Sequence, residues 1–294
     1  MQMYKGTGIA IVTPFNSKGE IEYSSLENHI NFLIDGKVEY LVVLGTTGES
    51  PVLSKVEKQD IFEFCSKTVN GRIPLVAGIS GNHTAEVVIE AKNFNIKGYT
   101  AILSASPGYN KPTQEGIYQH YKAISEASNL PIILYNVPGR TSSNISAETT
   151  LRLARDFKNI VAIKEASGML EQVMAILSQK PEKFSVISGE DALTLPMIAC
   201  GADGVISVVG NAFPYEFSEC VRLALKGEFK EAKVIHYRLL KFIDLLFAEG
   251  NPGGVKAALK VLGVMDENMR LPLVPISNQL RAQIKVEVSK IKSA

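Results

Sequence analysis

The chain has 294 residues, of which 46% are hydrophobic and 21% are charged, the balance of a globular protein with a large core. Its formal net charge of +1 argues against nucleic acid or an anionic membrane surface as a partner. Its apolar runs are all shorter than the roughly 18 residues that a membrane span needs. We therefore expect no nucleic acid and no membrane among its partners.

The N-terminus and the cysteines indicate a cytoplasmic protein. The stretch MQMYKGTGIA lacks the charged and apolar regions of a signal peptide. Cys65, Cys200 and Cys220 are odd in number and widely spaced, which predicts neither a disulfide framework nor a zinc site. We interpret them as small buried hydrophobes in a reducing compartment.

The histidines offer no pattern for a metal site. The chain has four, and no two of them form the H-x-H or H-x-x-x-H pairs that bind metals. We expect no metal and no other cofactor. All four are interpreted as packing or surface residues in helices: His29, His83, His120 and His236.

Eight β-branched runs alternate with amphipathic helical patterns, at a spacing of roughly 25–35 residues. Two of the helical patterns have capping boxes, Ser24-x-x-Glu27 and Ser54-x-x-Glu57. The predicted strands are, in chain order, GIAIVTPF (8–15), YLVVLGTT (40–47), IPLVAGIS (73–80), YTAILSAS (99–106), PIILYNVP (131–138), IVAIKEAS (160–167), FSVISGED (184–191) and DGVISVVG (203–210).

This alternation predicts a parallel α/β sheet, and eight units predict a closed (β/α)8 TIM barrel. An open sheet would need a glycine-rich dinucleotide fingerprint after the first strand, and TPFNSKG is not one. Three further helical patterns follow the eighth unit, at 229–247, 252–263 and 277–292. We expect a catalytic barrel over residues 1–226 and a C-terminal appendage of three helices over 227–294.

Polar side chains mark several predicted strand ends, and in such barrels the active site lies at the C-terminal ends of the strands. Each has an ordinary structural explanation as a turn residue, a core aromatic or a solvated cation. Together they are the expected convergent set: Thr46, Thr47, Tyr109, Tyr135, Arg140 and Lys164.

Lys164 stands out because it ends a buried apolar strand, among Val161, Ile163 and Ala166. Lysine is almost never fully buried without a partner. Glu165 is a poor partner, because adjacent strand residues point to opposite faces. Burial disfavours the charged ammonium, and a neutral amine attacks a ketone to form a Schiff base.

Schiff-base chemistry on an oxoacid needs a proton relay and carboxylate binding. Tyr135, one strand away, is a candidate for proton transfer, and the Thr47 hydroxyl is a candidate to hold that phenol in register. Thr46 and Thr47 offer donors to a carboxylate in the loop before the Ser54 helix start. Arg140 is suited to binding a second carboxylate through two hydrogen bonds.

Several motifs together resemble the dihydrodipicolinate synthase family, within the pyruvate-dependent class I aldolase and lyase superfamily. They are GTTGES (45–50), YNVPGRT (135–141), IVAIKEAS (160–167) and DGVISVVGN (203–211), and VKAALKVLG (255–263) and RLPLVP (270–275) extend the match to the C-terminal helices. The resemblance implies condensation of pyruvate with aspartate 4-semialdehyde in lysine and diaminopimelate biosynthesis. It also implies a homotetramer built from two tight dimers.

The resemblance assigns roles to the matching residues. Lys164 matches the Schiff-base lysine, Tyr135 the relay tyrosine and Thr47 the threonine that links the relay. The other matches are Thr46 for the pyruvate carboxylate, Tyr109 for a tyrosine inserted into a neighbouring subunit's site, Arg140 for the semialdehyde carboxylate, and Gly189 and Ile206 for backbone contacts near the lysine.

Two other functions remain open at this point. One is a related lyase or aldolase of the N-acetylneuraminate or keto-deoxy-sugar-acid type, against which the Arg140 match argues. The other is a non-catalytic barrel that binds an oxoacid as a sensor.

The resemblance also includes an allosteric lysine site, with departures. Ser50, Asn82 and Glu86 match its residues, whereas Lys55 and Lys58 stand where histidines are usual and Gly108 stands where a tyrosine is usual. Two cations repel the ammonium of a lysine ligand. We therefore expect weak or absent inhibition by lysine.

Overall fold

In the computed structural model, which describes residues 4–293, eight parallel strands close into a barrel in chain order. The predicted (β/α)8 barrel is confirmed. Each strand is shorter than its predicted run, because the runs continue into the loops where the strands end. The strands are β1 (Gly6–Ala10), β2 (Tyr40–Val43), β3 (Leu75–Gly78), β4 (Tyr99–Ala105), β5 (Ile132–Asn136), β6 (Ile160–Glu165), β7 (Ser185–Ser188) and β8 (Gly204–Ser207).

Helices surround the barrel and follow it. They are α1 (Tyr23–Asp35), α2 (Lys55–Val69), α3 (Thr84–Asn93), α4 (Gln114–Ala127), α5 (Pro138–Thr141), α6 (Ala147–Asp156), α7 (Leu170–Leu177), α8 (Thr194–Ala199), α9 (Pro214–Leu225), α10 (Phe229–Phe247), α11 (Gly253–Val261) and α12 (Asn278–Lys292). The last three are the predicted C-terminal helices. Short 3-10 turns cover Thr46–Gly48, Ser50–Val52, Asp191–Leu193 and Val209–Asn211.

Of the two predicted capping boxes, one is correct. Ser54 accepts from the Glu57 backbone N–H at 3.2 Å and the Glu57 carboxylate accepts from the Ser54 N–H at 2.9 Å. The Ser24 prediction is wrong, because α1 already begins at Tyr23 and Ser24 donates instead to the Glu22 side chain. Serine and glutamate at this spacing therefore form a capping box only where the helix begins directly after the serine.

The strands bury both faces, as expected of a parallel barrel. Alternate side chains fill the barrel interior, including Ala162 and Ala166 of the β6 region. Ile163 points the other way, into the core between the strands and the outer helices. Because side chains alternate along a strand, Lys164 belongs to the interior set.

The C-terminal helices share a hydrophobic core with the end of the barrel. This core combines Val205 of β8 with Leu239 and Phe242 of α10. Phe242 packs edge-to-face on Phe213, with ring centroids 5.1 Å apart. Since apolar contact continues across residue 226, the division into two domains at this point stays a prediction.

Within residues 4–293, no helix is both long and apolar enough to cross a membrane. Cys65, Cys200 and Cys220 are free thiols. The same residues contain no cluster of three or more His, Cys, Asp or Glu side chains with the geometry of a metal site.

Candidate active site

Lys164 lies at the C-terminal end of β6 inside the barrel, with only 5% of its surface exposed. It stands in register with Tyr135 on the neighbouring β5. Its Nζ lies 4.3 Å from the centroid of the Tyr135 ring. The two predicted central residues are therefore in contact, with the amine over the face of the ring.

Gly189 leaves the space that the lysine side chain occupies. A Cβ at this position would lie 3.0 Å from Lys164 Cε and 2.6 Å from the Ala166 Cβ. The Gly189 N–H donates to the Glu165 carbonyl at 2.8 Å, which fixes the loop after β7 against β6. Ile206 lies buried in the barrel interior on β8.

Glu165 anchors the outer face of the same strand end. Its carboxylate is buried and accepts from Asn136 Nδ2 at 3.0 and 3.1 Å, from Gln172 Nε2 at 2.9 Å and from the Ser167 N–H at 2.7 Å. Asn136 follows Tyr135 just as Glu165 follows Lys164. This network therefore holds together the two strand ends that carry the tyrosine and the lysine.

Thr46 and Thr47 lie on the 3-10 turn that follows β2. Thr47 is buried, and its Oγ1 accepts from Asn251 Nδ2 at 2.9 Å. Within the described residues no hydrogen bond joins the hydroxyls of Thr47 and Tyr135. The structure gives Thr47 a partner that the sequence analysis missed, since Asn251 follows α10 far along the chain.

A buried ion pair flanks the threonine turn. Glu49 follows it in a left-handed backbone conformation, with φ of 55°. Its carboxylate pairs with Lys256 of α11, and neither side chain has exposed surface. Lys256 also donates to the Asn268 carbonyl at 2.8 Å. The C-terminal helices therefore support the loop that carries Thr46 and Thr47.

Tyr109 and Arg140 lie apart from this buried set. Tyr109 is 93% exposed in the loop after β4, in a left-handed conformation with φ of 64°. Its N–H donates to the Thr141 carbonyl at 3.2 Å, so the loop is tied to α5 while the ring points outward. Arg140 is exposed on α5, directly after β5.

Two acids that the sequence analysis passed over follow β7. Burial raises the pKa of Glu190 and the Asp191 charge raises it further, whereas Lys164 and Arg140 lower it. Burial also raises the pKa of Asp191, against the backbone N–H groups of Val209 and Val208 that donate to it. Both predicted cations, Lys164 and Arg140, therefore lie at the same end of the barrel as these acids. The signal was present in SGED, at a predicted strand end.

A sequence model of the family described as "Dihydrodipicolinate synthetase family" matches residues 3–291. The chain belongs to this family. The family prediction made from the motifs is thus confirmed.

Individual members of this family are similar over nearly the full length. A 4-hydroxy-tetrahydrodipicolinate synthase from Flavobacterium psychrophilum is 52% identical over 280 residues, which cover 95% of this chain and 96% of that one. The crystal structure of dihydrodipicolinate synthase from Thermotoga maritima has a TM-score of 0.96 at 39% identity, and covers 99% of this chain and 100% of that one. A DHDPS from Cyanidioschyzon merolae, solved with lysine bound, has a TM-score of 0.96 at 36% identity and full coverage of both chains.

The residues that match the family's allosteric set lie near the starts of α2 and α3. Their backbone positions are Ser50 on a 3-10 turn, Lys55 and Lys58 on α2, Asn82 before α3 and Glu86 on α3. Burial raises the pKa of Glu90 on α3, whereas Lys58 and Lys55 lower it and Glu86 raises it further. The two lysines therefore lie near enough to α3 to act on its carboxylates. Their regulatory role stays a prediction.

Proposed function

We propose that this chain condenses pyruvate with aspartate 4-semialdehyde to give 4-hydroxy-tetrahydrodipicolinate, in lysine and diaminopimelate biosynthesis. One observation carries the proposal: a lysine amine is buried at the end of the barrel, 4.3 Å from the ring centroid of Tyr135. The names of similar proteins, such as the synthase from Flavobacterium psychrophilum, support the choice of substrates. The sugar-acid lyase alternative has no comparable support.

The first half of the reaction forms an enamine. The Lys164 amine attacks the pyruvate ketone, and loss of water from the carbinolamine gives an iminium ion. Tyr135 exchanges the protons of these steps, with Thr47 and Tyr109 as the other members of the relay. The iminium withdraws electrons, so the methyl carbon loses a proton and becomes a carbon nucleophile.

The substrates are oriented through their carboxylates. Thr46 binds the pyruvate carboxylate through its hydroxyl, and Thr46 and Thr47 bind it through their backbone N–H groups. Arg140 binds the carboxylate of the semialdehyde, for which its planar guanidinium offers two parallel hydrogen bonds. Gly189 and Ile206 contribute backbone contacts beside Lys164.

The second half closes the ring and frees the enzyme. The enamine carbon attacks the aldehyde, forming the new carbon–carbon bond and an alcohol. The amino group of the semialdehyde portion then attacks the imine carbon and displaces the Lys164 amine. This transimination leaves the cyclic product and regenerates the free lysine.

We further propose a homo-oligomer, a dimer at least and a tetramer of two dimers as the resemblance implies. An exposed Tyr109 ring contributes nothing to the pocket of its own chain, which supports insertion into a partner's site. Sedimentation velocity on the purified chain distinguishes these states. We also propose that the enzyme acts in the cytoplasm, which suits its free thiols.

The test is borohydride trapping with pyruvate, followed by peptide mass mapping. Borohydride reduces an imine to a stable amine, so we expect a pyruvyl adduct on the peptide that contains Lys164. A K164A chain should give no adduct and lose activity by orders of magnitude while its circular dichroism spectrum stays unchanged. A folded wild-type chain that forms no adduct would refute the imine mechanism.

A further inference from the structure

Asn251 links the C-terminal helices to the loop that carries Thr47. Its Nδ2 lies 2.9 Å from Thr47 Oγ1, although 204 residues separate the two in sequence. Both side chains are buried, and Asn251 lies between α10 and α11. The contact therefore connects a residue of the proposed proton relay to a distant part of the chain.

In the structure the Asn251 amide nitrogen faces the Thr47 hydroxyl, and the Asn251 Oδ1 is buried without a partner among the described residues. An amide nitrogen donates and cannot accept, so Thr47 Oγ1 is the acceptor. A threonine hydroxyl has one proton and two lone pairs. With one lone pair bound to Asn251, Thr47 keeps its proton for an outside acceptor and one lone pair for an outside donor. A hydroxyl needs this combination to pass a proton between two phenols, such as those of Tyr135 and Tyr109.

The segment after α10 is held firmly beside the threonine turn. The buried ion pair between Lys256 and Glu49 ties it to the residue that follows the turn. Farther along, Arg270 donates to the Glu57 carboxylate at 2.5 and 3.0 Å. The buried pair restricts its surroundings, because another arrangement would leave a buried charge unpaired, and the partly exposed Arg270–Glu57 pair adds a second tie.

We propose that Asn251 is a positioning residue, which fixes the direction in which the Thr47 hydroxyl gives its proton. The inference rests on the proposed function, because it requires Thr47 to act in a proton relay. It predicts that loss of the amide donor lowers kcat far more than it changes the KM for pyruvate. A misplaced proton-transfer group costs about 10- to 100-fold in rate.

The experiment compares the full-length N251D and N251A chains with wild type. N251D preserves the side-chain volume, but an ionised carboxylate accepts the Thr47 proton instead of donating one. We expect its kcat at pH 8 to be lower by about 10- to 100-fold. The ratio of its kcat to the wild-type kcat should rise as pH falls, since a protonated carboxyl donates again. Glu49 and Lys256, the buried charged pair beside the segment, are present in both chains, so the new carboxylate is the one titrating group that N251D adds.

Asn268 provides a matched control. Its Nδ2 donates to the Phe15 carbonyl at 3.1 Å, so its side chain also ties a C-terminal segment to the barrel, without a hydrogen bond to Thr47. N268A removes a comparable hydrogen bond and should lower stability, while kcat stays within about twofold of wild type.

The outcomes separate cleanly. Wild-type kcat in folded N251D and N251A overturns the proposal, and so does a kcat ratio that is independent of pH. If N251A does not fold, the pH dependence of N251D decides alone. Borohydride trapping on the wild-type chain distinguishes the two hypotheses: no adduct refutes the proposed function, whereas an adduct with normal N251D kinetics refutes only the role of Asn251.

Discussion

At Lys164 an amine, an aromatic face and a glycine meet. The Tyr135 ring lies under Nζ at 4.3 Å, and Gly189 leaves open the space next to Cε. The face of an aromatic ring attracts a cation, so the same ring is placed to stabilise the iminium that the proposed reaction forms on Lys164. One tyrosine therefore serves the lysine both electrostatically, through its ring, and as the proposed proton donor, through its hydroxyl.

Arg140 gives a prediction at the same scale. Its exposed guanidinium lies near Glu190, the acid after β7 whose pKa burial raises and whose negative charge Arg140 and Lys164 both favour. R140A should raise the KM for aspartate semialdehyde by about 10- to 100-fold, the value of a lost charge-assisted pair. Steady-state kinetics with varied semialdehyde measures the change, and borohydride trapping should give the same rate of imine formation as wild type.

Arg155 is the control for charge alone. It is an exposed arginine on α6 whose guanidinium donates to the Gln179 carbonyl at 3.3 Å. R155A removes the same charge and should leave the semialdehyde KM unchanged. Equal losses of semialdehyde use and imine formation in R140A would show that Arg140 supports the fold of the site and does not bind the second substrate.

What the sequence reveals at single residues depends on how local the signal is. Lys164 and Tyr135 could be predicted as candidate site residues because each lies at the end of an apolar strand, and the ends of parallel strands converge. The contacts of Asn251 and Lys256 could not be predicted, because their partners lie more than 200 residues away and a side-chain contact leaves no periodic pattern in the sequence. Glu165 was visible in sequence, but its amide partners were not.

At the scale of helices and strands, sequence periodicity predicted which elements exist and in what order better than it predicted where each begins and ends. All eight strands form, yet runs such as IVAIKEAS extend past the strand, which ends at Glu165, into the loop that follows it. The loops are apolar enough to resemble strand because they are buried at the barrel mouth. A capping box placed a helix start correctly at Ser54, where the cap forms, and wrongly at Ser24, where it does not.

The facing ends of α2 and α3 carry the prediction about regulation. Burial raises the pKa of Glu90 on α3 and the nearby Lys58 and Lys55 lower it, so this surface already holds two cations. The ammonium of a free lysine ligand is repelled by them. We expect submillimolar lysine to leave turnover unchanged in an assay with both substrates, and strong inhibition at that concentration would contradict the prediction.

A variant makes this prediction sharper. K55A/K58A removes both cations and should make the enzyme more sensitive to lysine than wild type. A tyrosine at Gly108 is a less direct comparison, because a Cβ there would lie 3.1 Å from the Thr141 Cα and the backbone would have to shift by a few tenths of an ångström. K55A/K58A therefore tests the effect of the two charges alone, because the tyrosine ring is absent from both the variant and the wild-type chain.

At the scale of the whole molecule, folding buries histidines in neutral form. His29 has no exposed surface and pairs with Asn211 at 2.9 Å, while His120 pairs with Thr84 at 2.9 Å. Burial lowers the pKa of each from 6.5 to about 4. The second ring nitrogen of each histidine is buried without a partner among the described residues, so an added proton would be unpaired.

These shifts predict how stability depends on pH. Between pH 6.5 and about 4 the unfolded chain binds protons at these histidines that the folded chain does not bind, so stability is complete above pH 6.5 and falls as pH falls. Each histidine should reduce the free energy of unfolding by about 2 kcal/mol between pH 7 and pH 5. Urea denaturation at the two pH values, at one protein concentration, measures the loss.

Substitutions assign the loss to particular residues. H29Q and H120Q remove a titrating ring, so each should lose about 2 kcal/mol less than wild type between the two pH values, whatever its stability at pH 7. His83 is exposed, and H83Q should lose as much as wild type. If H29Q and H120Q lose as much as H83Q, the acid sensitivity comes from other groups and the buried neutral histidines do not control it.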